Sequence, residues 1–555
     1  MNISFHGAVE TVTGSNHLLK FNDKKILLDC GQFQGSNREE LMNWEKLPYD
    51  PSDIDYILLS HSHIDHCGRI PLMVKRGFRG QIICTKATHD LCEIMLLDSA
   101  HIHEMEAEWE NRKAKRANKR KTTPLYTQED ARNSMKFFKT VLYNQVIKLD
   151  EDLIVKYNDA GHILGSAIIE IWIKENGNKE PIKIVFSGDL GTFDRPILKD
   201  PTSIDSADYL IMESTYGSRL HKEKETHMDR LIDIIIKTVN RGGNVVIPSF
   251  AVGRTQEIIY GLNEYYEGNG EKSEFLKKIP VYIDSPLATR ATEVFKRNAQ
   301  VFDMETREKL LNGDNPLHFK NLHFTLSAAE SKAINSDKSS KIIISASGMC
   351  DAGRIKHHLK HNLWREESSI VFVGYQADNT LGRRIRDGAK LVKLFGEEIA
   401  VNADIYSVEG FSGHADQKGL LDWIKKFKQK PKKIFIVHGE DESKKEFARQ
   451  IKLQCNTETI IPTKNFEYNL TKDEKISGYD LVTDRFEEAH EKADPEKVNK
   501  LEEQMIKLKD LFEGSVNLTD DYMNAGVNVE EYNELKNHLL EIEEKILNLT
   551  SITGK

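Results

Sequence analysis

The stretch LLSHSHIDHCG, residues 58 to 68, sets His61, His63, Asp65 and His66 directly after an apolar run. Imidazole and carboxylate without thiolate are the ligand types of a catalytic metal site, since structural zinc usually takes cysteine. Alternate residues of an extended chain point the same way, so His61 and His63 can reach one ion while the following turn aims Asp65 and His66 at another. More ligands must come from distant segments, and candidates stand at the ends of apolar runs: His162 in DAGHILGS, Asp189 in VFSGDLG and His438 in IFIVHGE. Each alone is more often a loop or core residue than a ligand. Together they complete two sites, one with His61, His63 and His162, the other with Asp65, His66 and His438, and Asp189 bridging. The expected occupants are two Zn2+ ions, and the chemistry is hydrolysis.

A second group of residues could take anions. Ser249, Gly253 and Arg254, then Ser347, Gly348, Gly353 and Arg354, then Gly374, Gly382, Arg383 and Arg384 follow three apolar runs. Free N–H groups and guanidinium at such strand-to-helix turns can bind phosphate. Turns of this kind are common in parallel sheets without a ligand, so their weight lies in recurring three times on one presumed edge. Phe250 and Tyr375 could stack on bases, with core or rim packing at least as common a use. The basic run Arg112, Lys113, Lys115, Arg116, Lys119, Arg120 and Lys121 reads as a solvated helix face.

The elements that must position these residues follow from the hydrophobic pattern. Up to about residue 210, short β-rich runs (KILLDCG, DYILLSH, QIICT, IKIVFSGDL, YLIMEST) alternate with helical spacing, which predicts α/β layering. A second alternation runs to about 400 through NVVIP, PVYIDSP, KIIISASG and SIVFVGY, as in an open parallel sheet with ligand loops at its carboxyl edge. VNADIYSVEGFSGHAD and PKKIFIVHGE then resume the style of the first part. Residues 1–208 and 400–470 are therefore expected to form one domain and 209–399 an insertion into it. In the acidic tail, 471–555, Val498, Leu501, Met505, Leu508 and Phe512, then Tyr532, Leu535, Leu539, Ile542, Ile546 and Leu549, predict two amphipathic helices. That hairpin could pack on its own chain, the simpler reading, or pair with a second copy as a homodimer.

Composition sets the outer bounds. A chain of 555 residues predicts two or three domains, and a net charge of −9 argues against a protein that is basic all over, leaving nucleic acid to a local cleft. There is no run of about 18 apolar residues to span a bilayer. The amino-terminal stretch reads as a strand, not as a secretory signal. Six scattered cysteines give no disulfide framework, so reduced thiols and a cytoplasmic location are expected.

FHGAVETVTGSNHLL, LLDCG, HSHIDHCGRIP, GHILGS, SGDLG and IVHGE, in this order, resemble the metallo-β-lactamase fold. ESTYG, PSFAVGRTQE, SASGMCDAGR, VGYQADNTLGRR and FSGHAD resemble its β-CASP branch of nucleases, more closely the cleavage-and-polyadenylation endonuclease type than RNase J. The resemblance covers about residues 1 to 470. It implies an αββα sandwich with an inserted α/β domain, followed here by a helical extension. It also implies that the seven residues above bind two zinc ions and that Asp29 supports the histidines from behind. Glu213 and His414 match the acidic and histidine motifs of the β-CASP branch, and histidine rather than valine at 438 is associated with RNA substrates.

The implied reaction is hydrolysis of phosphodiester bonds in single-stranded RNA. Two cations would clamp the phosphate and supply a hydroxide at neutral pH, Asp65 would orient it, and His414, held by Glu213, would protonate the leaving oxygen. Endonuclease and 5′-exonuclease action both remain open. DNA is the close competitor as substrate. A small-ester hydrolase would not need so large an insertion, and a catalytically dead scaffold subunit would have lost ligands, of which none is missing.

Overall fold

The computed structural model describes residues 1–482 apart from 117, 119–120, 178–179, 222–226 and 378. The helical tail expected over 471–555 lies outside the described residues from 483 on. Two large sheets form the first layer pair. One has eight strands in the order Glu474–Ser477, Glu467–Asn469, Asn2–Gly7, Asn16–Phe21, Lys24–Leu28, Tyr56–Leu58, Gln81–Thr85 and Phe138–Val141. The other has seven, in the order Glu458–Ile460, Lys433–Ile436, Tyr209–Met212, Ile182–Phe186, Ala167–Ile173, Leu153–Asp159 and Val146–Asp150.

Side-chain alternation decides which face meets which layer. Ile26 and Leu28 enter the core between the sheets with Phe5, Ile169, Ile171 and Phe186. Leu27, between them in sequence, faces the opposite way and packs under helices Ile70–Lys75 and Lys86–Arg116 with Ile57 and Ile82. On the outer face of the second sheet, Leu210 and Ile434 pack with Leu420, Trp423, Phe447 and Ile451 of helices Gln417–Lys425 and Asp441–Cys455. The result is helix, sheet, sheet, helix, the sandwich expected.

A third sheet has six strands, all parallel: Leu322–Phe324, Val281–Ile283, Ile342–Ser345, Val245–Pro248, Ser369–Phe372 and Asp404–Ser407. Its central strands Ile342–Ser345, Val245–Pro248 and Ser369–Phe372 are buried along their whole length, which is why they read as near-continuous apolar runs. Val245, Ile247, Ile342 and Ile344 face helices His227–Asn240 and Arg254–Glu267. Val246 and Ile343 face helix Ile355–Asn362. Helix His227–Asn240 buries Leu231, Ile234, Ile235 and Thr238, a three-four spacing that gives one apolar stripe.

Two edges of the insertion fall elsewhere than 209 and 399. Tyr209–Met212 pairs with Ile182–Phe186 and Lys433–Ile436 in the sandwich, and Asp404–Ser407 pairs with Ser369–Phe372 in the inserted sheet. A four-residue strand carries its own period but no mark of its partner, so the run at 404–407 could not be assigned by style. Glu474–Ser477, paired with Glu467–Asn469, carries the eight-stranded sheet beyond residue 470 into the segment read as the helical tail. Among the described residues no helix is long and apolar enough to cross a membrane.

Candidate metal centre

Every candidate ligand leaves the carboxyl end of a strand or the loop after it. His61 and His63 follow Tyr56–Leu58, and the short helix Ile64–Cys67 carries Asp65 and His66. His162 follows Leu153–Asp159, Asp189 follows Ile182–Phe186, and His438 follows Lys433–Ile436. Close backbone contact keeps these loops together. A Cβ on Gly31 would fall 1.6 Å from the carbonyl of Asp65, and one on Gly191 1.9 Å from that of Gly161, so only glycine fits at either place.

The inner atoms converge in two groups. His63 Nδ1 lies 3.0 Å from His61 Nε2 and 3.2 Å from His162 Nε2, and Asp189 Oδ2 lies 3.4 Å and 3.6 Å from those same Nε2 atoms. In the second group His66 Nε2 and His438 Nε2 are 3.1 Å apart, with Asp65 Oδ2 3.8 Å and 3.4 Å from them. Asp189 stands between the groups, its Oδ2 3.3 Å from His66 Nε2 and its Oδ1 3.6 Å from His438 Nε2. Four atoms at tetrahedral corners around a zinc ion would be about 3.3 Å apart, the spacing seen here. Asp189 Oδ1 is buried with no hydrogen-bond partner among the described residues. An orphaned carboxylate oxygen facing imidazole nitrogens fits a divalent cation better than it fits any internal bond.

Electrostatics agree. Burial drives His61 down to about 3 and His63 to about 4, and it drives His162 well below its ordinary value, so these rings are neutral, the form that ligates. Burial also opposes charge on His66 and His438, but Asp189 and Asp65, with Asp29 beside His66, outweigh it and raise both. The second group therefore attracts positive charge, as a proton or as a metal ion.

Outer partners fix the rings. Asp29 accepts from His66 Nδ1 at 2.6 Å and is itself held by the Ser60 N–H at 2.8 Å. Ser60 Oγ meets His61 Nδ1 at 3.0 Å, His162 Nδ1 donates to the Gly413 carbonyl at 3.2 Å, and Thr215 Oγ1 meets His438 Nδ1 at 3.0 Å. These four rings thus present Nε2 inward, whereas His63 presents Nδ1. Beside the cluster, His414 Nδ1 lies 3.1 Å from both oxygens of the buried Glu213 and 3.9 Å from Asp189 Oδ2. Its ring centroid is 4.3 Å from that of His162. Burial alone would lower His414, but the Glu213 carboxylate, with Asp189 and Asp65, raises it to about 9.

The inserted sheet's three loops meet at its carboxyl edge. Gln376 Nε2 donates to the Gly348 carbonyl at 3.0 Å, and the Gly382 N–H to that of Met349 at 3.0 Å. Their basic residues do not all face outward as expected. Arg254 pairs with Glu257 at 2.8 Å and lies over the Phe411 ring, while Arg354 pairs with the buried Asp284 and donates to Leu326 O, both at 2.6 Å. Glu257 and Asp284 are buried carboxylates that would be costly to leave unpaired, and both arms fold inward to meet them. Arg383 bonds Asp387 at 2.5 Å, Ser249 is buried against Thr255 at 3.0 Å, and Arg384 is exposed. Phe250 is 45% exposed and its ring lies against Gly348, so a stacking face remains open to solvent. In the long helix, Arg112 and Lys113 pair with Glu108 and Glu110, as a solvated face should.

Sequence reasoning missed the residues that tie the layers together. Arg195 donates to the carbonyls of His162 and Gly413, both at 3.2 Å, and to Glu257 at 2.8 Å. Its loop also buries Ile197, at φ 76° an unfavourable conformation for a β-branched residue, against the inserted domain's core. Nothing in TFDRPILKD marks this, because every partner is remote in the chain. Thr215 could have been found, as it follows the acidic strand end at Glu213 by two residues.

Residues 18–188 match the family model of a metallo-β-lactamase superfamily domain, 255–385 that of a Beta-Casp domain, and 398–462 that of a Zn-dependent metallo-hydrolase RNA specificity domain. The chain is 36% identical to a ribonuclease of Thermus thermophilus over 442 residues, covering 80% of this chain and 94% of that one. It is 31% identical to an RNase J-like protein of Methanocaldococcus jannaschii over 465 residues, 83% of this chain and 98% of the relative. With the transcription termination factor FttA of the same organism it shares 30% identity over 475 residues, 83% of this chain and 70% of the relative. Three matched domains in chain order, these identities and the metal-ligating cluster place the chain in the β-CASP branch of the metallo-β-lactamase superfamily of metal-dependent hydrolases.

Proposed function

We propose that this chain is a ribonuclease that holds two zinc ions and hydrolyses phosphodiester bonds of single-stranded RNA. The observation that carries the reading is the convergence of His61, His63, His162 and Asp189 beside Asp65, His66 and His438, with the Glu213–His414 pair at its edge. When bound, a pair of divalent ions activates the nucleophile and neutralises phosphate charge. His61, His63 and His162 would hold one ion, Asp65, His66 and His438 the other, with Asp189 reaching both.

The chain's own groups do the rest. Asp65 orients the attacking oxygen. Glu213 holds the His414 Nδ1 proton and favours the imidazolium, which leaves Nε2 to protonate the departing ribose oxygen. The exposed ring of Phe250, on the loop after Val245–Pro248, and the exposed Arg384 side chain, on the helix Leu381–Arg386, could guide the strand. The RNA-named domain match and the ribonuclease relative favour RNA over DNA, and six free, buried cysteines suit a cytoplasmic setting.

Cleavage of 5′-labelled single-stranded RNA and DNA by the wild type, His63→Ala and His414→Ala tests this. RNA cleavage by the wild type, with both variants impaired, is expected. Undiminished activity in His63→Ala, or a preference for DNA, would overturn it.

A further inference from the structure

A cavity of about 170 Å³ opens between the first strand and the segment after HSHIDHCG, and none of the metal-ligand candidates lines it. Its wall contains Arg69, which is 6% exposed. The guanidinium donates from Nε to the Gly31 carbonyl at 2.5 Å and lies 4.8 Å over the Phe33 ring. Among the described residues its two terminal nitrogens have no hydrogen-bond partner, and no carboxylate lies within ion-pair distance. Arg254 and Arg354, less deeply buried, each have one. A buried guanidinium without an anion is costly, and such charges are normally paired.

The other walls point the same way. Lys46, exposed, has no ion pair among the described residues, and Lys464 is shared with Glu45 at 2.8 Å, so three cations meet one carboxylate. His6 Nδ1 lies 3.0 Å from Asn465 Oδ1, which leaves Nε2 buried and without a partner among the described residues. Burial, helped by the charges of Lys20, Arg69 and Lys464, lowers this ring to about 4, so it is neutral and Nε2 can accept from a protonated oxygen. The volume far exceeds the ~30 Å³ share of one water. It falls short of the ~300 Å³ at which pockets for whole small molecules begin.

We propose that this cavity binds a phosphate group, with the Arg69 fork as the principal contact and Lys46 and Lys464 at the rim. The phosphate is either free inorganic phosphate or one phosphate of a bound RNA strand. Only the second source rests on the ribonuclease reading. The floor adjoins the catalytic side, since Gly31 N–H bonds Ser15 O and Ser15 N–H bonds Asp65 O, both at 2.8 Å.

Calorimetric titration of the full chain with inorganic phosphate tests the site, with the double variant His63→Ala with His438→Ala, which opens both ligand groups, as the background that removes phosphate held at the metal centre. One phosphate should bind in this background. That binding should vanish on adding Arg69→Met and weaken about tenfold on adding Lys46→Ala with Lys464→Ala, the loss of about one charge-assisted contact. No phosphate binding in the background, or unchanged binding in a folded Arg69→Met, would overturn the proposal. Should Arg69→Met fail to fold, unchanged binding in the lysine double variant overturns it instead. Displacement of phosphate by a short RNA assigns the site to the strand, and indifference to RNA assigns it to the free anion. If the ribonuclease reading is what fails, RNA cleavage is absent while phosphate binding persists.

Discussion

At the metal cluster, inner nitrogens and carboxylate oxygens face one another at 3.0–3.8 Å, and an oxygen of Asp189 is buried with no hydrogen-bond partner among the described residues. At the carboxyl edge of the inserted sheet the chemistry is as rich, yet Arg254 and Arg354 end on Glu257 and Asp284 of their own chain at 2.8 Å and 2.6 Å. Both regions lie where strands end, and both hold charge out of water. The difference is whether the polar atoms are satisfied internally. Groups that meet without satisfying one another form a site for a ligand, and groups that satisfy one another form a brace. The edge of the insertion is mostly brace, and through Arg195 it reaches the backbone of His162 and Gly413.

That contrast can be broken at several points. The largest effect is expected for His162→Ala, which opens the first ligand group: bound metal should fall and RNA cleavage drop below detection, read by elemental analysis and a gel assay. His414→Ala should lower kcat by about 10²–10⁴-fold, as for loss of a general acid, with metal content unchanged. Because Glu213 holds His414 up near 9, activity should be retained through neutral pH and fall as the acid deprotonates at higher pH. Glu213→Gln removes the raising charge but leaves the burial, so the alkaline limb of the pH profile should move to lower pH.

Glu257→Ala strands Arg195 and Arg254 without their carboxylate, and a cost of about 3–5 kcal/mol is expected in denaturant unfolding. Metal content measured below the transition should survive, which separates brace from ligand. The smallest effect belongs to the exposed Arg384. Arg384→Ala should weaken RNA binding a few-fold and flatten the salt dependence by about 0.7 in log–log slope, as for one phosphate contact on a single strand. A loss of stability there would make Arg384 part of the brace.

How much of this was legible in the sequence follows the range over which each feature is encoded. HSHIDH is local, and His162, Asp189 and His438 each follow an apolar strand, so side-chain types and strand ends were enough to propose the two ligand groups, while Glu213, His414 and the sandwich followed from the resemblance to the family. Asp29, which the resemblance set behind the histidines, lies within 2.6 Å of His66 Nδ1. Sequence pattern failed where the determinant is a remote partner. The sheet joined by Asp404–Ser407 depends on Ser369–Phe372, and the inward turn of Arg254 and Arg354 depends on carboxylates that no spacing rule selects. Arg195 escaped notice because its partners lie at 162, 257 and 413.

The central claim is that two ligand groups with Asp189 between them hold a pair of metal ions. Zinc bound per chain, measured by elemental analysis after metal loading and gel filtration, tests it most directly when the wild type is compared with His63→Ala and His438→Ala. The account predicts two ions in the wild type, and about one in each variant, since each opens one group and leaves the other. A single ion in the wild type, or two ions retained in both variants, would contradict it.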